Sequence, residues 1–249
     1  MLKSILPLIP EHNIYVEPFF WWGAVYRSKK PATCEVINDV NMNVVNFYEV
    51  LKHDYLKLRS YIQKTLHSRE TYKKALLIYE SPWLFSENPV LRARSFYTLN
   101  NQGFCSRIGS WWYDKEKRAN TVQNKIDRFG EFLTERIKYT QIEQNDALKV
   151  IRSRDREDAF IYADPPYINT DQWHYGGYTL EHFNNLLKTL EQVKGKFLLS
   201  SYPSKILAIY SKRNGWYTKK VDKPLTANGA KKWQTRKRKT EVLTANYPI

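Results

Sequence analysis

Along the chain, short runs of β-branched, aliphatic and aromatic residues alternate with stretches whose apolar positions recur at helical spacing. That alternation is the pattern of an α/β protein with a mostly parallel sheet covered on both faces. Strands are expected at residues 14–16, 35–38, 139–143, 160–163, 197–201 and 241–245, and a helix from 43 to about 64. Thr179 is placed to cap a helix whose Leu180, Phe183, Leu187 and Leu190 form an apolar stripe, and the stripe reads as packing. Roughly a hundred residues separate the second strand from Tyr139, far more than a crossover needs, so a subdomain occupies that interval. No internal repeat or low-complexity linker interrupts the pattern.

The run Phe160-Ile161-Tyr162-Ala163 has the continuous apolar character of a buried parallel strand, and it ends at Asp164-Pro165-Pro166-Tyr167. Open α/β sheets bind their ligands at the carboxyl ends of strands. Two successive prolines donate no backbone hydrogen bond and fix their own φ, so carbonyls at this corner can face a ligand. A carboxylate, a carbonyl and an aromatic face then converge on one spot. The arrangement suits the exocyclic amine of a flipped base: Asp164 and the Pro165 carbonyl accept its two N–H bonds while Tyr167 stacks on the ring. A Pro-Pro turn that only caps a core strand is the plainer alternative.

Composition sharpens the choice of partner. At 249 residues the chain can bury one large core, or one core with an inserted subdomain. Forty Lys and Arg against twenty-five Asp and Glu leave a formal charge of +15, which points to a polyanion; a basic surface kept for solubility is the alternative. Eighteen Tyr and eight Trp add stacking surface. Part of the charge is concentrated in Lys231-Lys232-Trp233-Gln234-Thr235-Arg236-Lys237-Arg238-Lys239, which reads as a loop ordered by phosphate, or else as a nuclear-import tract. The sequence has no eighteen-residue apolar stretch and no basic amphipathic helix with a clean apolar face, so a membrane partner is not expected. Cys34 and Cys105 are too few for a disulfide framework or metal site, and five scattered histidines suggest no zinc centre. The apolar run at the N-terminus is too short, and Pro7 too early, for a signal peptide, so a cytoplasmic setting with reduced thiols is expected.

Several further pieces fall in one order: Tyr15-Val16-Glu17-Pro18-Phe19, Gly23-Ala24-Val25, Val36-Ile37-Asn38-Asp39, Asp146-Ala147-Leu148, the Asp164 tetrapeptide, Phe197-Leu198-Leu199-Ser200-Ser201-Tyr202, and Thr240-Glu241-Val242-Leu243-Thr244-Ala245-Asn246-Tyr247. With them the chain resembles the Dam-like, D12-class DNA adenine N6-methyltransferases over nearly its whole length. The resemblance implies a Rossmann-like, mostly parallel, seven-stranded methyltransferase sheet over residues 1–65 and 139–249. A mainly helical target-recognition subdomain would be inserted at 66–138. It implies S-adenosylmethionine as cofactor, held by Glu17, Pro18, Phe19, Gly23, Asp39 and Asp146, with Asp39 on the ribose and Asp146 at the cofactor's adenine. For each of these carboxylates a helix N-cap is the alternative role. Asp164, Pro165, Pro166 and Tyr167 would be catalytic, and the partner double-stranded DNA, with no metal.

The stretch from Ser95 to Arg107 is similar to the family segment that opens target recognition. Asn101, Arg107, Lys115, Lys117 and Arg118 there, with Lys231, Lys232, Arg236 and Arg238 in the later cluster, are the candidate contacts to nucleic acid. The chain departs from the family at Trp21 and Trp22, where glycines or small residues are usual. Such side chains should block the cofactor pocket or reshape the turn. The family's element ahead of the first strand, an aromatic, glycines and a lysine, is not matched by residues 1–13. Two other classes therefore stay open: a non-catalytic DNA-binding homologue, and an enzyme acting on cytosine N4 or an RNA adenine.

Overall fold

The computed structural model describes residues 1–103, 108–112, 121–167, 177–224 and 238–249. In chain order the first elements are helix α1 (Leu2–Ile5), strand β1 (Ile14–Glu17), helix α2 (Ala24–Ser28) and strand β2 (Cys34–Asn38). A helical stretch follows: α3 (Met42–His53), α4 (Tyr55–Gln63), α5 (Arg69–Glu80), α6 (Pro89–Gln102), α7 (Thr121–Asp127) and α8 (Phe132–Ile137). Strand β3 (Gln141–Glu143), helix α9 (Ala147–Arg154), strand β4 (Ala159–Ala163), helix α10 (Leu180–Leu190) and strand β5 (Lys196–Ser201) come next. Helix α11 (Lys205–Asn214) and the hairpin strands β6 (Tyr217–Pro224) and β7 (Arg238–Ala245) close the chain.

The seven strands form one sheet in the order β3-β2-β1-β4-β5-β7-β6. Strands β2, β1, β4 and β5 are parallel, and β7 and β6 are antiparallel additions at one edge. This is the expected mostly parallel α/β sheet. All five residues of β4 are buried, which is why its sequence shows no polar alternation. On one sheet face Val16, Val36, Ile161, Ala163, Phe197 and Leu199 pack against Val150 and Ile151 of α9, Phe183, Leu186, Leu187 and Leu190 of α10, and Leu207 of α11. Each such large side chain, removed from water, contributes roughly 1.5–3 kcal/mol before entropy is charged against it. The other face is aromatic: Phe160 lies 5.3 Å from the His12 ring, 6.1 Å from Tyr15 and 6.5 Å from Tyr247.

By packing, the chain divides into one unit of Met1–Val40 with Asn145–Ile249, and a second of Asn41–Gln144. In the second unit α6 is central. Its Phe96 and Leu99 are buried and Phe96 meets Phe47 at 5.3 Å. Three of its buried polar residues are satisfied locally: Ser95, Thr98 and Asn100 donate to the carbonyls of Leu91, Arg94 and Phe96, each at 2.8 Å. The expected helix over 43–64 is two helices, because Asp54 (φ −138°, ψ 40°) leaves the helical region between α3 and α4. Residues 41–65 pack with this second unit.

Two further differences concern the end of the chain. Strand β6 was not expected, because as an edge strand carrying Lys219 and Lys220 in solvent it lacks an apolar face. Its pairing extends β7 back to Arg238, with Lys223 opposite Lys239 and Pro224 opposite Arg238. Arg238 and Lys239 are therefore ladder residues, not loop residues.

Candidate active site

Asp164-Pro165-Pro166-Tyr167 follows β4 directly, between the ends of β1 and β5. The Asp164 carboxylate receives two phenols: the Tyr167 hydroxyl donates to Oδ1 at 3.1 Å and the Tyr162 hydroxyl to Oδ2 at 3.4 Å. Ser200 Oγ is 3.3 Å from the Tyr167 hydroxyl. The Tyr167 ring packs on Tyr202, centroids 4.2 Å apart and planes tilted by 50°, and Lys239 Nζ sits 3.8 Å from the Tyr202 ring centre. Burial first, and the charge of Asp164 next, push both the Tyr162 and Tyr167 phenols well above their ordinary range, so both stay protonated donors.

Beside this turn lies a cavity of about 380 Å³. Pro18 and Phe19 after β1, Asp39 and Val40 after β2, and Asp146, Ala147 and Leu148 at the start of α9 form one part of its wall. Pro166, Gly177, Tyr178, His182 and Asn185 form the other. Asn38 organises the first part: its amide donates to the carbonyls of Pro18 and Asn145, both at 3.0 Å, and its Oδ1 accepts the Asn145 N–H at 2.9 Å. Asp146 does act as the N-cap of α9, Oδ1 accepting the Lys149 N–H at 2.9 Å, and it also borders the cavity. Asp39 is buried, and its Oδ2 accepts the Trp21 N–H at 2.9 Å.

The two tryptophans neither open nor fill this cavity. A tight turn closes by the Gly23 N–H to the Phe20 carbonyl at 2.8 Å, with φ of +41° at Trp21 and +56° at Gly23. Trp21 thus holds the left-handed conformation that favours glycine, and the turn keeps its course at some cost in backbone strain. Neither Trp21 nor Trp22 is among the cavity walls, and Trp22 lies under the Arg27 guanidinium at 5.7 Å. Gly23 has a second reason to be glycine: a Cβ there would stand 2.2 Å from the Phe20 ring.

Of the six residues expected around a cofactor, Pro18, Phe19, Asp39 and Asp146 border the cavity, whereas Glu17 and Gly23 do not. Glu17 is buried behind it, accepting the Tyr15 hydroxyl at 2.6 Å and the Tyr26 N–H at 3.2 Å. Burial, and then the charge of Asp164, raise its carboxyl from 4.5 to about 8 against the opposing pull of those two hydrogen bonds and Lys29. A second cavity of about 170 Å³ lies on the far side of Pro166, bounded also by Pro165, Tyr167, Phe183, Ser201 and Tyr202. The buried Ser201 Oγ there has no hydrogen-bond partner among the described residues.

Asn101, expected to meet nucleic acid, donates its amide to the Tyr97 carbonyl at 2.8 Å, and its own carbonyl accepts Lys125 Nζ at 3.2 Å. Arg238 opens β7. Arg107, Lys115, Lys117, Arg118, Lys231, Lys232 and Arg236 lie outside the described residues. Sequence reasoning passed over Tyr178, His182 and Asn185. The last two stand three apart on α10, beside the apolar stripe, and that spacing places them on one helical face.

Among the described residues no helix is long and apolar enough to cross a membrane. Compared with known proteins, residues 1–238 match the family model of the D12 class N6 adenine-specific DNA methyltransferases. No curated protein matches the chain.

Proposed function

The chain belongs to the D12 class N6 adenine-specific DNA methyltransferase family, and on that premise we propose that it moves a methyl group from S-adenosylmethionine to N6 of an adenine extruded from double-stranded DNA. The observation that carries the reading is Pro166, which walls both cavities and stands two residues after Asp164, at the end of β4.

The larger cavity suits the cofactor chemically. Phe19, Leu148, Tyr178 and Pro166 offer apolar surface to a purine, and the Asp39 and Asp146 carboxylates offer acceptors to ribose hydroxyls and an amine. A buried Tyr178 hydroxyl without a hydrogen-bond partner among the described residues adds a polar group for a guest to satisfy. When bound, S-adenosylmethionine supplies an electrophilic methyl on a sulfonium.

The protein's part is mainly orientation and electrostatics. The amine lone pair of adenine is delocalised into the ring. With both N–H bonds accepted at Asp164 and the Pro165 carbonyl, the nitrogen becomes pyramidal and its lone pair is drawn out of conjugation with the ring and localised on nitrogen. Each carboxylate oxygen can accept two hydrogen bonds, so an amine N–H is compatible with the phenol already on Asp164. Tyr167 gives the extruded base a stacking face, offsetting part of the few kcal/mol that extrusion costs. Target recognition is assigned to residues 66–138. Contact to nucleic acid, at phosphates or base edges, is assigned to Asn101, Arg107, Lys115, Lys117, Arg118, Lys231, Lys232, Arg236 and Arg238, each phosphate neutralised by a Lys or Arg steepening the salt dependence of binding by about 0.9.

The test is incubation with unmethylated genomic DNA and S-adenosylmethionine, followed by digestion and mass spectrometry of the nucleosides, with Asp164→Ala alongside. N6-methyladenine from the parent alone is expected, with DNA binding retained by the variant. Methylation by Asp164→Ala would remove Asp164 from the chemistry. N4-methylcytosine, or no methylated base from folded, DNA-binding parent protein, would overturn the reading.

A further inference from the structure

Side chains alternate across a strand, so Tyr162 and Asp164 share the sheet face opposite Ile161 and Ala163. Val16 pairs with Ile161 and Ala163 with Leu199, and one further step in each register sets Glu17 beside Tyr162 and Ser200 beside Asp164. Four polar groups from three strands therefore meet on a face that is otherwise aromatic and apolar. Tyr162 and Ser200 are 2% and 1% exposed, too deep to touch a DNA strand.

We propose that Tyr162 and Ser200 are positioning residues that fix the Asp164 carboxylate in the orientation that receives the adenine amine. The inference rests on the methyltransferase reading above. Each phenol has one proton, and each directs it to Asp164: Tyr167 to Oδ1, Tyr162 to Oδ2. Ser200 lies within hydrogen-bonding reach of both phenol oxygens. Because the phenol protons are committed, the serine is the donor in whichever of those bonds it makes. The serine proton strengthens a phenol as donor, and the phenols in turn grip both ends of the carboxylate. A carboxylate held at both oxygens cannot rotate about its own axis, and the direction of its remaining acceptor sites becomes a property of β4 and β5 rather than of solvent. Burial of both phenols keeps them protonated over the working range, so the grip does not lapse with pH.

Tyr162→Phe removes one oxygen and leaves the packing of a fully enclosed ring. It should lower kcat roughly tenfold, the worth of one hydrogen bond to a charged group, and leave the KM for DNA unchanged. Ser200→Ala, a smaller change, should act in the same direction more weakly. A merely structural role would instead show as lost stability, or as a rate loss independent of Asp164. The deciding measurement is a double-mutant cycle: in an Asp164→Asn background, Tyr162→Phe should produce no further loss of kcat. An additive loss in that background, or an unchanged kcat for both Tyr162→Phe and Ser200→Ala in otherwise active enzyme, overturns the inference alone. Inactivity of the parent protein overturns the methyltransferase reading and this inference with it.

Discussion

Replacing Glu17 by glutamine should remove one large pH-dependent contribution to stability. In the unfolded chain this carboxyl loses its proton near 4.5, while burial, and then the charge of Asp164, hold the proton in the folded protein up to about 8. Between those values the folded state carries one more proton than the unfolded state. Stability from this site is therefore complete below pH 4.5 and falls as pH rises, until it is lost above about 8. Each pH unit in the window corresponds to a tenfold change in the folding equilibrium, and the whole window to about 5 kcal/mol. Glutamine keeps an oxygen for the Tyr15 hydroxyl and the Tyr26 N–H but brings an amide with two N–H donors, where the protonated acid has one. At pH 5 the variant should therefore be less stable than the parent by about 1–3 kcal/mol, and above pH 8 it should be the more stable protein. Denaturant titrations of both proteins at fixed ionic strength, from pH 5 to 9, give the difference directly, and groups common to both, such as His12, cancel. A difference that does not change with pH would show that Glu17 is ionised in the folded state throughout, and the desolvation argument would fail.

Two substitutions test the packing that carries the site. Gly23→Ala combines a left-handed φ with a Cβ 2.2 Å from the ring of buried Phe20, and should lower stability by about 3 kcal/mol; an unchanged thermal midpoint would mean that the ring swings aside freely. Lys29→Met leaves the buried Glu35 carboxylate without the ammonium 2.6 Å away, retaining the Ala32 N–H at 3.1 Å, and should cost about 3–5 kcal/mol in denaturant. The pair Lys29→Met with Glu35→Leu should recover most of that loss, and failure to recover would assign the cost to packing around the Tyr15 ring, over which Lys29 Nζ sits at 4.1 Å.

How far the site was legible in the sequence depended on whether its parts are contiguous. The Asp164 tetrapeptide is four consecutive residues after an apolar run, so its composition and its place at a strand end could be read together, and β1, β2, β4, β5 and β7 were found for the same reason. Thr179 was legible as a cap because its partner is three residues away, in a capping box closed by His182. Strand β6 was not, since an edge strand owes its existence to the ladder with β7 and not to its own lysine-rich sequence. The cavity walls at Tyr178, His182 and Asn185 depend on where α10 lands on the sheet. Tyr162 and Ser200 read as core because a period-2 pattern assigns faces within a strand, while the register that joins two strands is set elsewhere in the chain.

Trp21 and Trp22 show the same distinction from the other side. Read locally, a large side chain at a glycine position blocks the pocket or alters the turn. Across the chain, the end of β2 and the residue after it hold the first two residues of the turn: the Asn38 carbonyl accepts the Phe20 N–H at 3.0 Å and the Asp39 carboxylate accepts the Trp21 N–H at 2.9 Å. Those two bonds are worth about as much as the strain of one left-handed tryptophan, so the backbone conformation is decided by the neighbouring strand and the side chains are left outside the cavity walls. The residue type at position 21 then governs strain and stability, whereas access to the cavity is governed by Asp39 and the Asn38 bridge, which hold the backbone around it.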